Sequence, residues 1–87
     1  MTRVLIPTQL QSYCGGASRV VAAGGTVDGV LRNLDERFPG IRFRIVDEQD
    51  RIRRHMRIFV GQEAVSDLGR VLGERDEVLI FGALSGG

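Results

Sequence analysis

Lysine is absent from this chain: all twelve basic residues are arginine. There is consequently no ε-amine for Schiff-base chemistry and none to accept an isopeptide bond. The arginine bias itself is read as compositional. Cysteine occurs once, as Cys14, which excludes an internal disulfide framework and any multi-cysteine zinc site. Histidine also occurs once. His55 stands between Arg54 and Met56 with no carboxylate or cysteine at ligand spacing, so it is assigned a structural or surface role and no metal site is expected. No apolar run approaches the roughly 18 residues of a membrane span, and no charged-then-apolar leader opens the chain. A soluble cytosolic protein is the expectation, with no membrane partner. A large excess of either charge is missing too. The formal net charge of +1 argues against a nucleic-acid-coating or membrane-coating role.

What is present suits one small domain. The chain has 87 residues, of which 43% are hydrophobic and 26% charged, an ordinary globular balance. A domain of this size buries only somewhat more than ~60% of its unfolded surface. Most apolar side chains are therefore committed to one core, and little room remains for a deep enclosed active site.

Arg3-Val4-Leu5-Ile6-Pro7 reads as a first strand, ended by a proline that cannot donate to a ladder. A polar loop containing Cys14-Gly15-Gly16 follows, and Ser18–Ala23 is a second strand, paired with the first as a hairpin. Gly24-Gly25 breaks the extended run. Thr26 is placed as a helix N-cap with Asp28 in the first turn. Val27, Val30, Leu31, Leu34 and Phe38 form one apolar helical stripe, stopped by Pro39-Gly40. Gly29 within that helix suggests close packing on a sheet. The alternation of Ile41, Phe43 and Ile45 with Arg42 and Arg44 predicts a short strand or extended segment. Asp47–Asp50 reads as a turn, Met56–Val60 as a strand, Glu63–Val65 as a short strand, and Leu68–Leu72 as a short helical turn. Val78–Phe81 is apolar at four consecutive positions, which predicts a central strand covered on both faces. Lying beside the first strand, it would run parallel to it, with the helix as crossover. The class is α+β, a β-grasp or ubiquitin-like arrangement: a mixed four- to five-stranded sheet with one main helix packed across it.

Side chains for catalysis are scarce. Cys14 has no base or electropositive pocket implied near it, so it is read as an incidental thiol that could be exposed. Gly15-Gly16 and Gly24-Gly25 are read as turn glycines, because no strand–glycine loop–helix pattern with a lysine surrounds them. Arg51-Ile52-Arg53-Arg54-His55-Met56-Arg57 is a dense basic patch balanced by Asp47, Glu48 and Asp50. It is read as a solvated face. Docking of an acidic partner is the alternative, and the lack of interleaved aromatic residues weighs against RNA.

The remaining feature is the end of the sequence. Residues 1–81 are assigned to the domain and 82–87, Gly82-Ala83-Leu84-Ser85-Gly86-Gly87, to a flexible arm with no charged or bulky polar side chain. At roughly 3.3–3.6 Å per residue those residues would extend on the order of 20 Å. Glycines at the tip lack Cβ atoms, so the backbone could thread a narrow channel and present the Gly87 carboxylate to another protein's active site.

The chain resembles the ThiS/MoaD sulfur-carrier family along nearly its whole length. The matching stretches are "IPTQL" with Gly15-Gly16, "GGTVDGVLRNLDERFPGIR", "IRRHMRIFVGQEAV", "GERDEVLIFGALSGG" and the final Gly86-Gly87. Within the family it is most similar to the subgroup that includes carriers for cysteine and other sulfur-containing metabolites. The resemblance implies a carrier rather than an enzyme. A ubiquitin-activating-enzyme-like adenylyltransferase would use ATP and magnesium, bound by that partner and not by this chain, to adenylate Gly87. A sulfur donor would convert the adenylate to a thiocarboxylate, and a sulfur-accepting synthase would take the sulfur. The molybdopterin, thiamine, cysteine and specialised-metabolite pathways stay open, as does the role of small subunit in a molybdopterin-synthase-like enzyme. Gly82 stands where members often have proline, and Ser85 where they often have alanine. Two other readings are a β-grasp interaction module that never uses its tail and a ubiquitin-like modifier. The expected docking face lies beside the final strand, near Phe59 and Phe81.

Overall fold

The computed structural model describes residues 1–82. In chain order the elements are β1 (Thr2–Leu5), a 3₁₀ helix (Thr8–Cys14), β2 (Arg19–Ala22), α1 (Val27–Arg37), α2 (Ile41–Ile45), β3 (Met56–Val60), β4 (Glu63–Val65) and β5 (Glu77–Gly82). The strands form one five-stranded sheet in the order β2-β1-β5-β3-β4. β1 and β5 are parallel neighbours at its centre, and the other pairs are antiparallel. A parallel pair needs a crossover, and α1 lies on that connection. The fold is the β-grasp.

The start of α1 follows from its sequence. Thr26 is extended, and its Oγ1 accepts a hydrogen bond from the Gly29 N–H at 3.0 Å. The stripe Val27, Val30, Leu31 and Leu34 is fully buried. It meets the inner sheet face made by Val4, Ala22, Met56, Ile58, Val78 and Ile80. Gly24 is required by packing. A Cβ on it would lie 2.5 Å from the Val30 backbone nitrogen, so the loop before α1 presses directly on the helix backbone. Gly29 belongs to the same contact, facing Thr26 and Gly24 and not the sheet.

Four segments differ from their sequence reading. Residues 41–45 are helical, not extended. Gly40 adopts φ 96°, and the Asp35 Oδ1 accepts from the N–H groups of both Gly40 and Arg42 at 3.1 Å, restarting a helix one turn after α1 ends. Ile41 and Ile45, four apart, point into the core, while Phe43 is 53% exposed. Spacing of two and spacing of four share those isoleucines, so the period was ambiguous.

The segment before Gly15 is a 3₁₀ helix whose Leu10 and Cys14 are buried; Cys14 is not the exposed loop thiol anticipated. Residues 68–72 form no helix. Asp67 Oδ1 accepts from the Gly69 N–H at 2.8 Å, closing a local turn, and Val71 bridges to Thr26. β5 is central as predicted, yet the described residues cover only its inner face: Val78 and Ile80 are fully buried, Leu79 is half-buried and Phe81 is 42% exposed.

Candidate functional site

Alternation along each strand sends one set of side chains toward α1 and the other to the opposite sheet face. The second set is defined by register. Leu5 pairs with Leu79, Leu79 with Phe59, and Phe59 with Ala64, so one apolar row crosses four strands. Phe81 stands one step along β5, its ring 5.7 Å from that of Phe59 at an interplanar angle of 81°. The two rings named from sequence are therefore in edge-to-face contact on the open face, a favourable aromatic geometry.

Leu5 and Leu79 complete the strip and were not named. Each sits within a continuous apolar run, which hides the alternation, and their adjacency depends on a parallel pairing between the two ends of the chain. Charged residues frame the strip. Arg19 and Glu77 form an ion pair of 3.7 Å at one end, and Arg57 lies opposite Phe81 at the other.

Gly82 was assigned to the arm, but the ladder includes it: it closes β5 opposite Met56. Its φ is not positive, so left-handed freedom is not why glycine stands there. Close approach is the reason. A Cβ on Gly82 would fall 2.7 Å from Gln9 Nε2 and 3.0 Å from Gln9 Cδ, so the Gln9 carboxamide from the 3₁₀ helix lies over the last rung of β5. Ala83, Leu84, Ser85, Gly86 and Gly87 lie outside the described residues.

The other candidates are structural. Burial pushes the Cys14 thiol above its usual pKa, and the Arg37 charge only partly opposes this. His55 is exposed. Among the described residues no three His, Cys, Asp or Glu side chains are grouped so as to hold a metal, and no helix is long and apolar enough to cross a membrane. Asp28 is the hub of an ionic network, with Arg32 Nε and Arg42 Nη2 each at 2.7 Å; Arg42 also reaches Asp50 at 3.1 Å. Burial raises the Asp28 pKa, and the hydrogen bonds and charges of the two arginines outweigh it, holding the carboxyl below the usual range.

Known proteins share this architecture and sequence. The model of the ThiS family matches residues 4–87. The sulfur carrier protein CysO of Mycobacterium tuberculosis is 33% identical over 89 residues, covering 97% of this chain and 96% of that protein. The crystal structure of M. tuberculosis CysO superposes with a TM-score of 0.90 at 30% identity, over 97% of this chain and 100% of the other. A chain in the crystal structure of an Amycolatopsis orientalis BexX/CysO complex gives 0.91 at 31% identity, with both chains fully covered. The chain belongs to the ThiS family, and it is a sulfur carrier.

Proposed function

We propose that the working group is the Gly87 carboxylate and that the folded domain serves to deliver it. The observation that carries this reading is the path of β5. It lies at the sheet centre, its inner side chains are fully buried, and it is the last element of the described residues, within a family match that extends to residue 87. A carboxylate is a poor electrophile. A ubiquitin-activating-enzyme-like adenylyltransferase, holding ATP and magnesium, would take a Gly87 oxygen onto the α-phosphorus with loss of pyrophosphate. Sulfide then attacks the carbonyl carbon of the acyl-adenylate and AMP leaves. With a persulfide donor, the acyl disulfide formed first is cleaved by a thiol. Either route leaves a thiocarboxylate, which surrenders its sulfur to an acceptor on a synthase and returns as the carboxylate. In this scheme the chain is a co-substrate, not a catalyst.

The open strip of Leu5, Leu79, Phe59 and Phe81 is the surface on which the activating partner would sit. It flanks the strand that leads to the arm, and a partner there would cover the β5 face that the described residues leave open. The A. orientalis CysO crystallised with BexX supports a partner-bound mode of action for chains of this kind.

The test is intact mass after incubation with a cognate activating enzyme, Mg-ATP and sulfide. The expected product is heavier by one oxygen-to-sulfur exchange, and deletion of Gly86-Gly87 abolishes it. Sulfur transfer that survives the deletion would leave the interaction-module reading in its place. Hydroxylamine-resistant adducts on lysines of other proteins would instead establish the modifier reading.

A further inference from the structure

The scheme proposed for Gly87 assigns no role to the basic stretch Arg51–Arg57, and the structure gives it a shape that the sequence did not. Its residues form one wall of a groove of about 580 Å³, whose opposite wall is the end of β4, Ala64–Ser66. The floor is apolar: Ile52 is half-buried, Met56 is 3% exposed and Val65 is 9% exposed.

The charges around this groove are unevenly matched. The Asp50 carboxylate on the rim already accepts from Arg42 at 3.1 Å, and the nearby Asp47 is paired with Arg51 at 3.8 Å. Arg53, Arg54 and Arg57 form no ion pair with a carboxylate among the described residues, although, beside the Arg51 N–H, the Arg53 charge contributes to holding the Asp47 carboxyl below its usual range. Arg53 Nε donates to the Phe43 carbonyl at 2.7 Å, and its guanidinium stacks on the Phe43 ring at 4.5 Å. Arg57 Nη1 donates at 2.8 Å to the carbonyls of Arg54 and Met56, which holds that guanidinium at the groove. Arg54 is exposed. Three guanidiniums, two of them fixed by backbone or ring contacts, thus line a groove with an apolar floor, and none of them is held in an ion pair among the described residues.

We infer that this groove docks an acidic, partly apolar segment of a protein partner, its carboxylates on Arg53, Arg54 and Arg57 and an apolar side chain against Ile52, Met56 and Val65. Guanidiniums fixed in position favour carboxylates, which they can bind in bidentate fashion. The groove has no aromatic lining on which bases could stack, and the chain's net charge is only +1, which together favour a protein segment over RNA. Location gives the contact a use. Met56 and Arg57 pair with Gly82 and Phe81, so the groove opens at the end of the sheet where β5 finishes. A partner held there is held beside the root of residues 83–87.

The measurement is an amide-resonance titration of the full-length protein with three probes: an eight-residue peptide alternating glutamate and leucine, the same peptide with glutamine for glutamate, and an eight-nucleotide oligouridylate. This readout does not depend on sulfur transfer, so it stands or falls apart from the Gly87 mechanism. The acidic peptide is expected to move the amides of Arg51–Arg57 and Ala64–Ser66, and its binding weakens as salt is raised. Arg54→Glu, at an exposed side chain with no ion pair among the described residues, weakens binding roughly ten-fold or more, and Arg54→Glu with Arg57→Glu abolishes it. The glutamine peptide does not bind. Shifts confined to the Phe59–Phe81 face, equal binding of the glutamine peptide, tighter binding of the oligouridylate, an unaffected Arg54→Glu variant, or no shifts at all would each overturn the assignment.

Discussion

A methyl group at position 82 would stand inside contact distance of the Gln9 carboxamide, although the backbone there is an ordinary ladder residue that alanine could adopt. The cost of Gly82→Ala therefore lies in moving one flexible side chain and not in straining the main chain. We expect it to stay below about 1 kcal/mol and to depend on Gln9. In a double-mutant cycle by urea denaturation, Gln9→Ala and Gly82→Ala should deviate from additivity by roughly 0.5 kcal/mol or more. Strict additivity would mean the two residues do not touch. Cys14 supplies a second residue-scale expectation. The residue is 7% exposed and its thiol is pushed toward the neutral form by burial, so a maleimide should label the native protein far more slowly than the urea-unfolded chain. Rapid native labelling would place the thiol at the surface.

At the scale of elements, the junction between α1 and α2 depends on Asp35. One carboxylate oxygen accepts from two backbone N–H groups at the start of α2, the service an N-cap side chain renders. Asp35→Ala should lower unfolding stability by about 1 kcal/mol, with the loss of amide protection confined to residues 40–46 if the junction opens locally. Asp28 ties the same two helices through Arg42 and pairs with Arg32 within α1, and its carboxyl is held below the ordinary value of 3.8. A depressed folded pKa gives stability that is complete above 3.8 and disappears as pH falls through the folded value. The urea midpoint of the parent protein should thus drop more steeply in acid than that of Asp28→Asn; parallel curves would remove Asp28 from the acid response. These elements also show what the sequence could convey. The α1 stripe, its Thr26 cap and the β3 run were legible because each rests on local periodicity or on one hydrogen bond. The central place of β5, by contrast, was read from an unbroken apolar run whose burial proved one-sided among the described residues. α2 was not legible, since its restart needs Asp35 to reach five and seven residues forward. Nor was the coil at 68–72, where a side-chain turn at Asp67 and a bridge from Val71 to Thr26 replace helical bonding. On the candidate face, Phe59 and Phe81 were recognisable from sequence, while Leu5 and Leu79 emerged only from register across the parallel pair.

For the whole molecule, the informative conflict is between the sequence of β5 and its burial. Four consecutive apolar residues are the pattern of a strand covered on both sides, and the described residues cover one. The uncovered residues do not scatter. They form a strip joined by register across β1, β5, β3 and β4, with charged residues at its ends. A contiguous apolar surface of this kind on a small domain marks a place for a partner, and here it borders the strand that leads toward Gly87. If the activating enzyme sits on it, a charge placed in its middle should disrupt docking and leave the fold intact, because Phe81 is already 42% exposed. Phe81→Asp is expected to raise the KM for the carrier in an ATP–pyrophosphate exchange assay by roughly ten-fold or more, with kcat near the parent value and the urea midpoint little changed. Val21→Asp, on the same face but outside the strip and 43% exposed, serves as the matched control and should leave KM unchanged. Equal effects at the two positions would indicate that charge anywhere on the sheet disturbs the enzyme, and the strip would lose its claim to be the docking surface.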